Sequence, residues 1–69
     1  SYDKVISSIL KAGVPMESAA EFSKKIEVWV MNENKNGEIS SSLMRDKIFE
    51  LLSKDYSVEA DSYQAFVKG

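Results

Sequence analysis

The sequence contains no cysteine and no histidine in its 69 residues. Their absence excludes a disulfide framework, a zinc site built on thiolates and any nucleophile pair that depends on histidine. No apolar run approaches the roughly 20 residues that cross a bilayer, and no signal-peptide pattern is present. Packing alone must therefore hold the fold together.

The charge is nearly balanced, with nine basic and eleven acidic residues giving a net charge of −2. The basic residues are scattered along the chain, which argues against duplex nucleic acid as a partner, and no membrane partner is expected. A length of 69 residues allows one domain, 1–69, and 43% hydrophobic with 29% charged residues is typical of a globular one. We expect a small cytoplasmic protein. Because removal of an initiator methionine leaves a chain that begins like Ser1, we also expect it to be nearly complete.

Apolar residues at helical spacing predict two helices in the first half of the chain. The first follows Ser1 as its N-cap and ends at Gly13, since glycine best tolerates the left-handed conformation after a helix. Its apolar side comprises Val5, Ile6, Ile9 and Leu10. The second begins near Pro15 and runs to about Met31. Its apolar face comprises Ala19, Phe22, Ile26, Trp29 and Val30.

The end of the second helix, IEVWVM, is apolar nearly all round and rich in β-branched residues, which also permits a strand. No neighbouring segment provides a pairing strand, so a helix is favoured. A third helix, capped by one of the serines at 40–42, has the apolar face Met44, Ile48, Leu51 and Leu52. Ser57 is predicted to cap a short fourth helix with Tyr63, Phe66 and Val67 at its buried edge. The predicted fold is all-α, a single compact bundle of four helices with a helix-loop-helix at 32–43.

The segment NENKNGEISSSL between the second and third helices is similar to a calcium-binding EF-hand loop. The ligand positions fall on Asn32, Asn34, Asn36, the carbonyl of Glu38, and Ser40. Leucine at 43 replaces the bidentate glutamate, and no carboxylate occupies a ligand position, so calcium binding is expected to be weak. The alternative is an asparagine-rich turn, because asparagine tolerates left-handed backbone and bonds locally. Calcium is the one cofactor that the sequence indicates.

A resemblance of wider extent covers residues 2 to 67. The segments YDKVISSILKAGVP, AAEFSKKIE, GEISSSLMRDKIFELL and EADSYQAF resemble the helical part of the ATP-cone, a nucleotide-sensing domain of ribonucleotide reductases and some archaeal kinases. The resemblance implies a non-catalytic binding or regulatory module. It also implies that Lys4 meets nucleotide phosphates, that Ser40 lies beside the nucleotide, and that Lys68 supplies charge at the end of the last helix.

The family's β-hairpin, which closes over the nucleotide with basic side chains, has no counterpart in this sequence. We therefore expect weak nucleotide binding by these residues. For each of the three positions the alternative is structural: a solvated surface lysine at Lys4 and Lys68, and an ordinary N-cap at Ser40.

Catalysis is not expected, because the sequence has no histidine base, glycine-rich phosphate loop or GxSxG motif. The acidic residues Asp55, Glu59 and Asp61 are typical of a helix N-terminus. A third interpretation is a helical interaction module. Its surface for a protein partner or for self-association would comprise Val28, Trp29, Met31 and Tyr63. The alternative for these residues is burial in the core.

Overall fold

Four α-helices make up nearly all of the part of the chain that the structure describes. They are α1 (Tyr2–Lys11), α2 (Met16–Glu33), α3 (Ser41–Asp55) and α4 (Ser57–Lys68). The computed structural model describes residues 2–33 and 39–68. Neither of these two stretches contains a strand, and IEVWVM is helical throughout. The prediction of an all-α bundle of four helices is confirmed.

Gly13 ends α1, as predicted. Its φ of +108° is a backbone conformation that side-chain-bearing residues rarely adopt. In this turn the Gly13 N–H donates to the Leu10 carbonyl at 3.0 Å and the Val14 N–H donates to the Ile9 carbonyl at 3.3 Å. A Cβ at position 13 would meet Glu59 Cγ at 3.5 Å, an ordinary contact. Glycine is therefore required by the backbone conformation and not by lack of space.

Ser40 is the serine that caps α3. Its backbone is extended, with φ −67° and ψ 149°, and its Oγ accepts a hydrogen bond from the Leu43 N–H at 3.1 Å. This bond satisfies one of the N–H groups that have no partner inside the helix. The three consecutive serines are equivalent as candidate caps, and the structure selects the first.

The junction between α3 and α4 corrects the prediction that Ser57 caps the fourth helix. Ser57 is already helical, and the Ala60 N–H donates to the Tyr56 carbonyl at 2.8 Å. The Tyr56 N–H in turn donates to the Leu52 carbonyl at 2.7 Å. One residue thus completes α3 with its N–H and begins α4 with its carbonyl, which leaves no place for a separate cap.

The helix-loop-helix predicted at 32–43 is shorter than expected. Asn32 and Glu33 belong to the last turn of α2, and Leu43 belongs to the first turn of α3. Both α2 residues are exposed, and polar side chains that reach solvent are accommodated in a last turn whose carbonyls also face water. The two helices therefore reach into the predicted segment from both sides, and its residues 34–38 lie outside the described ones.

Residues from all four helices and from the turn after α1 form the core. The largest side chains that are completely buried belong to Ile9, Ile26 and Leu52, one each from α1, α2 and α3. The other buried apolar residues are Ala12, Val14, Ala19, Phe22, Ile48, Ala60 and Tyr63. The pair α3 and α4 packs most extensively, followed by α1 and α2. The radius of gyration of 11.3 Å matches the value of about 11 Å expected for a compact chain of this length.

Phe66 does not belong to the buried edge of α4 that the sequence predicted. Its side chain is 49% exposed, and the Lys11 ammonium lies 5.3 Å from the ring centroid. The inward stripe of α4 runs through Ala60, Tyr63 and Val67, at spacings of three and four residues. Position 66 falls beside that stripe, so the ring covers the surface next to α1.

Candidate functional site

An open cleft of about 360 Å³ lies between α1, α3 and α4. Apolar side chains from the three helices contribute to its lining: Val5, Met44, Ile48 and Val67. Of these, Ile48 is buried, and the other three are half-buried and pack against the core. We refer to this feature as the α1–α3–α4 cleft.

The polar part of this cleft combines two cations with the start of a helix. Lys4 reaches the cleft from α1, and Ser41 and Arg45 reach it from α3. All three residues are exposed. Ser41 and Arg45 are four residues apart, which places them on the same face of α3. Because backbone N–H groups at a helix start carry partial positive charge, lysine, arginine and the N-terminus of α3 all favour an anion here.

Tyr63 also lines the cleft, but its side chain is only 2% exposed. Burial raises the pKa of the Tyr63 hydroxyl above its ordinary value of 10.0, and the charge of Arg45 lowers it in the opposite direction. The hydroxyl is therefore neutral near pH 7 and able to donate a hydrogen bond. Tyr63 is a core residue, so its assignment to an interaction surface was wrong.

The residues that the resemblance implied at a nucleotide site have different outcomes. Lys4 lines the cleft. Ser40 is next to the cleft residue Ser41. Its hydroxyl accepts the hydrogen bond that caps α3, which is the structural alternative predicted for this residue. Lys68 is the last residue of α4, and its side chain lies outside the described residues. Arg45 was not among the implied residues, although its spacing from Ser41 places both on one face.

The predicted calcium ligands fall mostly outside what the structure describes: Asn34, Asn36 and Glu38 lie in the segment 34–38. Asn32 is exposed in the last turn of α2, where it lines a groove together with three lysines. In residues 2–33 and 39–68, no group of three or more acidic, histidine or cysteine side chains is arranged to hold a metal ion. Calcium binding stays a prediction.

A second surface depression runs between α2 and α3, and we refer to it as the α2–α3 groove. It consists of two adjoining parts of about 490 and 510 Å³, and Trp29 and Lys47 line both. The Lys47 ammonium lies 5.9 Å from the centroid of the indole and forms an ion pair with Glu50 at 2.9 Å. The hydrogen bond from Lys47 lowers the pKa of the Glu50 carboxyl.

The other residues assigned to an interaction surface divide between two sides of α2. Val28 is 58% exposed and lines the α2–α3 groove with the half-buried Trp29. Met31 is 72% exposed. It lies two residues beyond Trp29 and therefore about 200° around the helix. Val28 and Trp29 thus share a surface, whereas Met31 faces another way and Tyr63 is buried.

Comparison of the chain with protein-family models, with curated proteins and with solved structures gives no match. Among the described residues, none of the helices combines the length and the apolar character needed to span a bilayer.

Proposed function

We propose that this chain is a non-catalytic binding module that takes a phosphate-bearing ligand, of the nucleotide class, in the α1–α3–α4 cleft. The observation that carries the proposal is the meeting of Lys4, Arg45 and the N-terminus of α3 around one cleft. The resemblance to the ATP-cone helices indicates the same class of ligand, since it implies that Lys4 meets nucleotide phosphates.

The chemistry of the cleft suits a phosphate group. The planar guanidinium of Arg45 matches two phosphate oxygens at once, whereas the Lys4 ammonium acts as a compact charge with three donors. Ser41 lies in the first turn of α3, where N–H groups without helical partners point out of the helix end. The half-buried apolar lining offers contacts to a less polar part of the ligand.

The affinity is expected to be modest. The cleft is open and the cations on it are exposed, so salt screens much of their attraction. Binding by this module alone is therefore expected to weaken steeply as the ionic strength rises.

An amide NMR titration of the full chain with ATP, pyrophosphate and adenosine tests the proposal. We expect saturable shifts at Lys4, Ser41 and Arg45 with ATP and pyrophosphate, and weaker effects with adenosine. The variants Lys4→Gln and Arg45→Gln should each weaken binding by about tenfold or more, because each removes a charge-assisted hydrogen bond. Lys54→Gln is the matched control: it removes an exposed charge that does not line the cleft.

Two results would exclude this function. One is the absence of shifts at the cleft with ATP and pyrophosphate, and the other is equal weakening by Lys54→Gln and Arg45→Gln. A parallel calcium and magnesium titration tests the EF-hand alternative. Saturable shifts confined to 32–43 with calcium alone would support a loop site, and their absence would leave an asparagine-rich turn.

A further inference from the structure

The α2–α3 groove has opposite charges in its two parts. One part is lined by Lys24 and Lys25 from α2, and the other part by Glu33 from α2 with Asp46 and Glu50 from α3. Between them lies the indole of Trp29, with Lys47 beside it. The groove therefore has a basic part and a part that holds its three carboxylates, and Trp29 and Lys47 line both.

The charges are arranged symmetrically about Trp29 along α2. Lys25, Trp29 and Glu33 follow each other at intervals of four residues, so they form one stripe on the helix surface. Lys25 and Glu33 lie at about equal distances from Trp29, roughly 6 Å along the axis on either side. A half-turn about an axis that passes through Trp29 perpendicular to the helix therefore brings Lys25 to the level of Glu33, and Glu33 to the level of Lys25.

From this arrangement we propose that the α2–α3 groove is the interface of a symmetric dimer, with a second copy of this chain as its occupant. Two-fold symmetry places the same surface on both subunits, and residues then meet in reciprocal pairs. With α2 antiparallel to its copy, Lys25 meets Glu33 of the second copy and Glu33 meets Lys25 of the second copy. The two tryptophans meet near the axis.

The apolar part of the groove provides the main attraction in this dimer. Val28 and Leu43 are 58% and 56% exposed, and each flanks Trp29 on a different part of the groove. Tryptophan at the centre of an interface, surrounded by residues that exclude water, commonly carries much of the binding energy. The charge pairs at the rim mainly fix the orientation and reject wrong arrangements.

The size of the surface indicates a reversible dimer. A standard interface buries roughly 800 Å² per partner, which is about a sixth of the 4755 Å² that this chain exposes. The lining of the groove exposes much less than this area, so the interface is small. The dimer is expected to dissociate on dilution, and it does not depend on the α1–α3–α4 cleft, which lies on other helix faces.

Sedimentation equilibrium of the full chain from about 1 μM to about 1 mM covers the range of reversible association. We expect a monomer–dimer equilibrium for the native sequence. Trp29 is the only tryptophan, so its fluorescence should shift to shorter wavelength over the same concentrations as the indole loses water. A native chain that stays monomeric over the whole range would overturn the proposal.

Charge-reversal variants then test the two-fold pairing itself. Lys25→Glu places glutamate opposite Glu33 at both rims, and Glu33→Lys places lysine opposite Lys25 at both rims. Each variant alone should dimerise at least about tenfold more weakly, since juxtaposed like charges are costly. In an equimolar mixture every pair is again opposite in sign, so a heterodimer should form with the native affinity.

Glu27→Lys is the matched control, since it changes the net charge by the same amount as Glu33→Lys. Glu27 is exposed and lies about 200° around α2 from Trp29, so the control should dimerise like the native chain. All three substitutions are at exposed positions, and far-UV circular dichroism verifies that each variant is folded. Unchanged dimerisation of the single variants, or a mixture that associates no better than they do, would overturn the two-fold arrangement.

Discussion

Truncation of Leu52 to alanine tests whether the core described above holds the bundle together. Leu52 is completely buried in α3, among the side chains that join the helices. Leu→Ala at such a site removes transfer free energy and leaves a cavity, at a cost of about 3 to 5 kcal/mol. A domain of 69 residues has a total stability of about 3 to 10 kcal/mol. The substitution should therefore remove about 30% or more of the free energy of unfolding.

Leu43→Ala is the matched control, because it makes the same chemical change in the same helix at a position that is 56% exposed. Alanine and leucine are both good helix formers, so propensity contributes little to either variant. Leu43→Ala should change the free energy of unfolding by less than about 0.5 kcal/mol. The two variants thus differ in burial and in little else.

Urea unfolding followed by far-UV circular dichroism measures the free energy of unfolding of both variants. A low micromolar protein concentration keeps the chain monomeric, so no second copy occupies the α2–α3 groove. With a slope of about 1 kcal/mol per molar urea for a small domain, the midpoint of the Leu52→Ala variant should fall by about 3 M or more. If it is already unfolded without urea, the expectation also holds. A loss below about 1.5 kcal/mol, or equal losses for the two variants, would refute the assignment of Leu52 to the core.

Two further predictions concern the cap of α3 and the pH dependence of stability. Ser40→Ala should cost about 1 kcal/mol in thermal or urea unfolding, because the Leu43 N–H loses its acceptor, whereas Ser42→Ala should change stability by a few tenths. Equal effects would contradict the cap assignment. Burial raises the pKa of Tyr63 above 10.0, so its contribution to stability is complete below that pH and is lost as the pH rises through the folded-state pKa. The free energy of unfolding, measured from pH 8 to beyond the ordinary tyrosine pKa of 10.0, should fall less steeply with pH for Tyr63→Phe than for the native chain. Identical pH dependence of the two proteins would contradict the raised pKa of Tyr63.

The amino-acid sequence by itself determined the helices, because the signals that form them act over a few residues. Apolar residues at helical spacing predicted all four elements, and Gly13 marked the end of the first through a conformation that only glycine adopts easily. Even IEVWVM, whose composition permits a strand, is a helix, and the described residues contain no strand that could pair with it. Local chemistry was less decisive where neighbours are equivalent. Three adjacent serines were equivalent candidates for the N-cap of α3, and only Ser40 is the cap. At the start of α4, Tyr56 stands in the place where Ser57 was expected.

Burial and the sites depended on how the helices pack, which no single segment encodes. Tyr63 and Phe66 are both aromatic residues on one helix, yet the first is buried and the second lies beside α1, because the orientation of α4 selects the inward stripe. Ser41 and Arg45 share a face that helical geometry already implied, but only the packing of α1 against the bundle brings Lys4 to the same cleft. The groove around Trp29 likewise exists only because α2 and α3 lie side by side. The spacing of residues along the sequence determines which side chains share a face of a helix. The packing of the helices determines which of those faces come together.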